Sequence, residues 1–262
     1  MGFIFDWTFI VVGLMQVVGF FVQGCTGFGC TVIAAPVTNG LLGTGAGVPY
    51  GTLLTLPFLY FLAIKTIKEV SWKDLGKIIG LCVPGILIGN YVYTIMDPTA
   101  AKICIGGVVT FIALFNIYKV IIKPLVLKKE TEEEVDTPVK KVLRYVALFV
   151  GGIVHGAFNI GGPLITVYTI SAVRDKEKFR NTMNMVWVIL NTWNAFSQYR
   201  SGAITPTVLS ALAIGLPCAA VGFALGMAFL KKINREQFLR IVYVVLLIVG
   251  GSMLIQNLAT VL

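Results

Sequence analysis

The sequence predicts an all-α polytopic membrane protein made of two inverted-topology repeats, each a re-entrant, broken helical segment plus three transmembrane helices. Three observations predict it. Charge is scarce, the charge that remains is gathered into four loops, and two glycine-rich breaks stand at matching places in the two halves. Of 262 residues, 57% are hydrophobic and 13% are charged, against about 25% charged in a soluble domain. From Trp7 to Ile64 there is no Asp, Glu, Lys or Arg at all, whereas about 20 apolar residues are enough to cross a bilayer. Residues 1–6 hold no Lys or Arg, so the first apolar segment is expected to stay in the protein rather than to be cleaved as a signal peptide.

In chain order the apolar segments are 3–42, 48–64, 75–96, 101–122, 143–172, 181–199, 206–230 and 241–262. They are too long and too uniformly apolar for barrel strands, which alternate over about ten residues. Helices satisfy their own backbone hydrogen bonds in lipid. Four basic clusters separate them: Lys65 to Lys77, Lys119 to Arg144, Arg174 to Arg180, and Lys231 to Arg240. Together they hold all the Lys and Arg except Lys102 and Arg200. The positive-inside rule puts these loops in the cytoplasm. The net charge of +9 is thereby read as topology, not as a nucleic-acid surface.

Segment 143–172 then starts and ends on the same side, so it must enter and return. Thirty residues make about 45 Å of helix, which suits two half-depth helices. Segment 3–42 reads the same way from the other side, which puts both termini outside. The chain divides into a first transmembrane repeat at 1–122, a charged cytoplasmic linker at 123–141, and a second repeat at 142–262. Gln23-Gly24-Cys25-Thr26-Gly27-Phe28-Gly29 aligns with His155-Gly156-Ala157-Phe158-Asn159-Ile160-Gly161, and Gly85-x-x-x-Gly89 with Gly222-x-x-x-Gly226. Inverted repeats with broken segments at equivalent positions mark secondary transporters, with the substrate at the breaks.

The candidate site therefore comprises Gln23, Thr26, Gly27, Phe28 and Gly29 from the first break and His155, Asn159, Gly161 and Gly162 from the second. It forms where the two breaks meet. Glycine lets backbone approach a ligand closely. Pro163 suits the start of a helix, and half-helix N-termini offer N–H groups to an anion. Asn184, Trp187, Asn191, Asn194 and Gln198 share one face of the helix 181–199; Asn191, Asn194 and Gln198 join the site list. Their other reading is interhelical hydrogen bonding. Thr52, Thr55 and Pro57 occupy the equivalent segment of the first half.

His155, the sole histidine, is the candidate for proton coupling, the other reading being a neutral imidazole bonded to a carbonyl. No Asp, Glu, Lys or Arg lies deep in a span, so an anion is expected to be recognised by backbone N–H groups, amides and hydroxyls. The five cysteines form no C-x-x-C and read as small hydrophobes, so no metal and no cofactor is expected. One histidine and no H-E-x-x-H or G-x-S-x-G argue against an enzyme. The expected partners are a small anion, the lipid bilayer and a coupling ion, H⁺ or Na⁺; a homodimer is left open.

Gln23-Gly24-x-x-Gly27-Phe28-Gly29 followed by Pro36, and Gly156-x-x-x-x-Gly161-Gly162-Pro163, resemble the two signature segments of the sulfite exporter TauE/SafE family, also called the toluene sulfonate uptake permeases. Phe179-Arg180-Asn181-Thr182 and Phe238-x-x-Arg240 resemble further family positions. The resemblance implies a permease for sulfite, a sulfonate or a related organic anion in the prokaryotic inner membrane. Cys30 and Asn159 depart from the family pattern at the site, which leaves room for another sulfur compound or a small carboxylate. An anion channel is the alternative mechanism.

Overall fold

The computed structural model describes residues 6–92, 98–122, 137–158 and 162–259. Among these residues are ten α-helices and no strand. They are α1 (Thr8–Thr26), α2 (Cys30–Leu42), α3 (Thr44–Thr66), α4 (Trp72–Val92), α5 (Pro98–Ile117), α6 (Pro138–Phe158), α7 (Gly162–Ala172), α8 (Lys176–Arg200), α9 (Pro206–Lys232) and α10 (Arg235–Leu258). A 3₁₀ turn, Ile67–Glu69, follows α3, and a π turn, Tyr118–Ile122, ends α5. Among the described residues four stretches, Thr8–Thr26, Gly45–Glu69, Pro206–Lys232 and Arg235–Leu258, are long and apolar enough to cross a membrane.

The helix starts obey local chemistry. The Asp175 carboxylate accepts from the amides of Glu177 and Lys178 at the start of α8. Thr205 caps α9 with Pro206 as its first residue, and Asn234 with Gln237 makes a capping box on α10. Each cap satisfies amides that a helix N-terminus otherwise leaves orphaned.

Helix packing divides the chain into two compact units. The first holds Met1–Trp72 and Asp175–Ile233, the second Lys73–Arg174 and Asn234–Leu262. This partition by packing is distinct from the division of the sequence at its linker, because each unit takes helices from both sides of it.

In the first unit α1 crosses α9. A Cβ on Gly222 would stand 2.2 Å from the Val17 carbonyl oxygen, and one on Gly226 would stand 2.1 Å from that of Phe21. Gly24 faces the Phe223 carbonyl in the same way at 2.5 Å. These backbones touch because no side chain separates them. Phe20 and Phe58 meet edge to face and Phe58 and Phe223 meet at a tilt, with centroids 4.9 and 5.3 Å apart, in a core that includes Val12, Tyr50, Leu54 and Val208.

The second unit repeats the device. A Cβ on Gly85 of α4 would lie 2.6 Å from the Phe149 carbonyl oxygen of α6, and one on Gly152 of α6 would lie 2.5 Å from that of Cys82. In α5 and α10, Gly106 faces the Leu254 amide and Gly250 the Thr110 amide. The registers match: Gly222 and Gly85 sit on the carbonyls of Val17 and Phe149, which stand six residues before Gln23 and His155 respectively.

The two broken segments differ from the sequence expectation in one respect. Equal half-depth helices are not found. In the second segment α6 has 21 residues and α7 has 11; in the first, α1 has 19 and α2 has 13. At 1.5 Å per residue the leading helix is about span-length and the trailing one is not. The cause in α6 is its charged start. The helix begins at Pro138 and takes Lys140, Lys141 and Arg144 into its first turns, residues that a hydropathy reading assigns to a loop.

Candidate functional site

The first break is built from two left-handed glycines. Gly27, at φ 80°, ends α1 and donates its amide to the Gln23 carbonyl at 2.8 Å. Gly29, at φ 98°, starts α2, and its carbonyl accepts from the Ile33 amide at 3.0 Å. Only glycine takes such angles without strain. Side chains of the signature hold the turn. Gln23 Nε2 donates to the Gly27 carbonyl at 3.2 Å. Thr26 Oγ1 lies 2.9 Å from the Val22 carbonyl and 2.8 Å from that of Phe28, and it accepts from the Phe28 amide at 3.3 Å. Gln23, Thr26, Phe28 and Cys30 are all buried. The positive end of α2 therefore begins inside the unit, at Gly29 and Cys30.

Against this break lies Arg180. A Cβ on Gly27 would meet the Arg180 carbonyl oxygen at 2.5 Å and its Cα at 3.1 Å. Arg180 itself is only 6% exposed. Its Nε and Nη2 both donate to Asn181 Oδ1, at 3.0 and 2.9 Å. Asn181 Nδ2 in turn donates to Glu69 Oε2 at 2.8 Å, and the Ser71 amide donates to Thr182 Oγ1 at 3.0 Å. Glu177, Glu69 and the Cys25 thiol feel the guanidinium's charge, yet among the described residues no carboxylate pairs with it directly. The fork closes on a neutral amide oxygen and leaves Nη1 outside that contact.

Sequence reading counts Arg180 among four loop cations and finds no buried cation for an anion. The structure puts one beside the signature. A signal for it was present: Arg180, Asn184, Trp187, Asn191, Asn194 and Gln198 fall on one helical face, so the polar stripe of α8 begins at the arginine.

The stripe itself is turned to α3. Asn184 Nδ2 donates to the Leu59 carbonyl at 2.9 Å, Asn191 Nδ2 to Thr55 Oγ1 at 3.1 Å, and Gln198 Nε2 to Thr52 Oγ1 at 3.1 Å. Each amide nitrogen spends one of its two N–H donors on α3, and Asn184 Oδ1 and Gln198 Oε1 are buried acceptors. Asn194 is half-buried on the same helix.

In the second unit His155 is buried on the last turn of α6, at 8% exposure. Gly162 opens α7 and its carbonyl accepts from Thr166 Oγ1 at 2.8 Å. Asn159 and Gly161 lie outside the described residues. No group of three His, Cys, Asp or Glu among the described residues is placed to hold a metal.

The family model for the sulfite exporter TauE/SafE proteins matches residues 10–253. No curated protein and no solved structure matches the chain. The match runs through both glycine-rich segments and the buried Arg180. This chain belongs to the sulfite exporter TauE/SafE family, and is a multi-pass membrane protein of a transporter family.

Proposed function

We propose that the protein is a secondary transporter of a small sulfur oxyanion, sulfite or a sulfonate, and that the anion binds at the Gly27–Gly29 break beside Arg180. The observation that carries this reading is the buried guanidinium, which no carboxylate among the described residues contacts directly. Nη1 lies outside the contact with Asn181, and an oxyanion supplies both a counter-charge and acceptors for charge-assisted hydrogen bonds from a guanidinium. The N-terminal amides of α2 add dipole and donors on the same side. Gln23, Thr26, Phe28 and Gly29 shape the turn; the stripe residues Asn191 and Gln198 hold α8 on α3.

The two-repeat plan, 1–122 and 142–262 around a linker at 123–141, is supported by the matched registers of Gly222 on Val17 and Gly85 on Phe149. In that plan the second break, with His155, Asn159, Gly161 and Gly162, is the counterpart of the first. His155 is the site of proton coupling. The basic loops face the cytoplasm of a prokaryotic inner membrane and both termini face the periplasm. Reporter fusions at residue 133 and at the C-terminus test that orientation: opposite sides are expected, and a shared side excludes it.

Counterflow in proteoliposomes tests the function. A carrier loaded with unlabelled sulfite takes up labelled sulfite against its gradient, and a sulfonate competes. Flux without trans-stimulation identifies a pore, and failure of every sulfur oxyanion to exchange rejects the substrate class.

A further inference from the structure

The buried guanidinium of Arg180 reaches a carboxylate only through an amide. Arg180 Nε and Nη2 donate to Asn181 Oδ1 at 3.0 and 2.9 Å, and Asn181 Nδ2 donates to Glu69 Oε2 at 2.8 Å. A guanidinium can only donate and an ionised carboxylate can only accept, so a single orientation of the Asn181 amide serves both. Its oxygen lies toward the cation and its nitrogen toward the carboxylate, and hydrogen bonds in such a chain strengthen one another. Arg180 is 6% and Asn181 1% exposed, whereas Glu69 is exposed. A carboxylate at the surface is thus joined to the guanidinium through one buried side chain.

The start of α8 is held without that chain. The Asp175 carboxylate accepts from the amides of Glu177 and Lys178. The Lys176 ammonium donates to the carbonyls of Leu230 and Ile233 at the end of α9. The Gly27 backbone lies against the carbonyl oxygen and Cα of Arg180. On the other side, the Ser71 amide donates to Thr182 Oγ1 at 3.0 Å, which ties the residues after the 3₁₀ turn to α8 next to Asn181. With both backbones fixed by these contacts, what Glu69 and Asn181 add is the rotation of the guanidinium. They engage its Nε–Nη2 edge and leave Nη1 outside the contact.

We propose that Glu69 is a positioning residue for the transported anion: acting through Asn181, it sets which edge of the Arg180 guanidinium faces the Gly27–Gly29 break. This rests on the reading of that break as the anion site. Glu177, on the same helix as Arg180, acts on the same charge through space. It therefore separates the effect of a nearby charge from that of the hydrogen-bonded chain.

Sulfite counterflow of the full chain in proteoliposomes, with KM and kcat determined separately, tests this role. Glu69→Ala should raise KM about tenfold, the scale of one hydrogen bond to a charged group, with little change in kcat. Glu69→Asp, which keeps the charge and shortens the reach, should raise KM likewise. Glu69→Gln, whose amide oxygen still accepts from Asn181, should restore most of the wild-type KM, and Glu177→Gln should not raise it. A merely structural contact would lower the unfolding temperature and the active fraction at unchanged KM. An unchanged KM in Glu69→Ala and Glu69→Asp overturns the proposal, as does a rise in Glu177→Gln equal to that in Glu69→Ala. If Glu69→Ala does not fold, Glu69→Asp and Glu69→Gln decide alone, and equal KM values in the two overturn it. The two readings fail separately. Wild-type exchange by Arg180→Gln removes the anion site itself, whereas an impaired Arg180→Gln beside an unaffected Glu69→Ala removes only the role of Glu69.

Discussion

Gly27 and Arg180 are locked backbone to backbone: the place where a Gly27 side chain would begin lies 2.5 Å from the Arg180 carbonyl oxygen, at a φ of 80° that other residues avoid. Two independent constraints thus fall on one residue. Gly27→Ala should lower the unfolding temperature of the detergent-solubilised protein well beyond the roughly 1–2 kcal/mol of a left-handed conformation. Gly202 supplies the comparison, because it has φ 73° and nothing within 4 Å of a built Cβ. Gly202→Ala should show the conformational part alone. Equal losses would mean that contact with Arg180 contributes nothing.

The α1–α9 crossing should be intolerant of one methyl group. Gly226→Ala puts carbon 2.1 Å from the Phe21 carbonyl, and forced repacking of this kind costs about 1–3 kcal/mol. Gly251→Ala, with nothing within 4 Å, should leave stability unchanged or raised. Thermal unfolding of the two variants distinguishes them, and a tolerated Gly226→Ala would contradict the close crossing.

The α3–α8 polar contacts should act on stability more than on substrate affinity. A double-mutant cycle of Asn191→Leu and Thr55→Val should give a coupling near the ~0.6 kcal/mol average of hydrogen bonds between membrane helices, with an unchanged KM for the transported anion. A large rise in KM with no coupling would return Asn191 to the substrate path.

How much of this was legible in the sequence depends on the range of the interaction. The helices were, because charge is excluded from lipid: the predicted segment 206–230 and the observed Pro206–Lys232 differ at one end by two residues. The break at 27–29 was also legible, because positive φ leaves glycines in the chain. Arg180 was not. Its burial depends on Gly27 and, through Asn181, on Glu69, far from it in sequence, and local composition around it reads as a solvated loop. The amides of α8 misled in the opposite sense. Their periodicity identifies an inward face but not the neighbour that engages it, and α3 supplies that neighbour.

If His155 carries the coupled proton, His155→Gln should abolish stimulation of anion transport by an imposed pH gradient while exchange at equal pH persists, since glutamine stands at the aligned position, Gln23. An unaltered response to the gradient would remove proton coupling from His155 and make Na⁺ the coupling ion to test next.

Sulfite counterflow by Arg180→Gln is the most direct measurement of the central claim. Glutamine keeps hydrogen-bond donors and removes the charge; Arg180→Lys keeps the charge and loses the fork. Both variants are checked for folding by their unfolding temperature in detergent. If the guanidinium holds the anion, Arg180→Gln loses exchange by about 100-fold, equivalent to ~3 kcal/mol, and Arg180→Lys keeps part of it. A folded Arg180→Gln protein that exchanges sulfite at the wild-type rate would contradict the account.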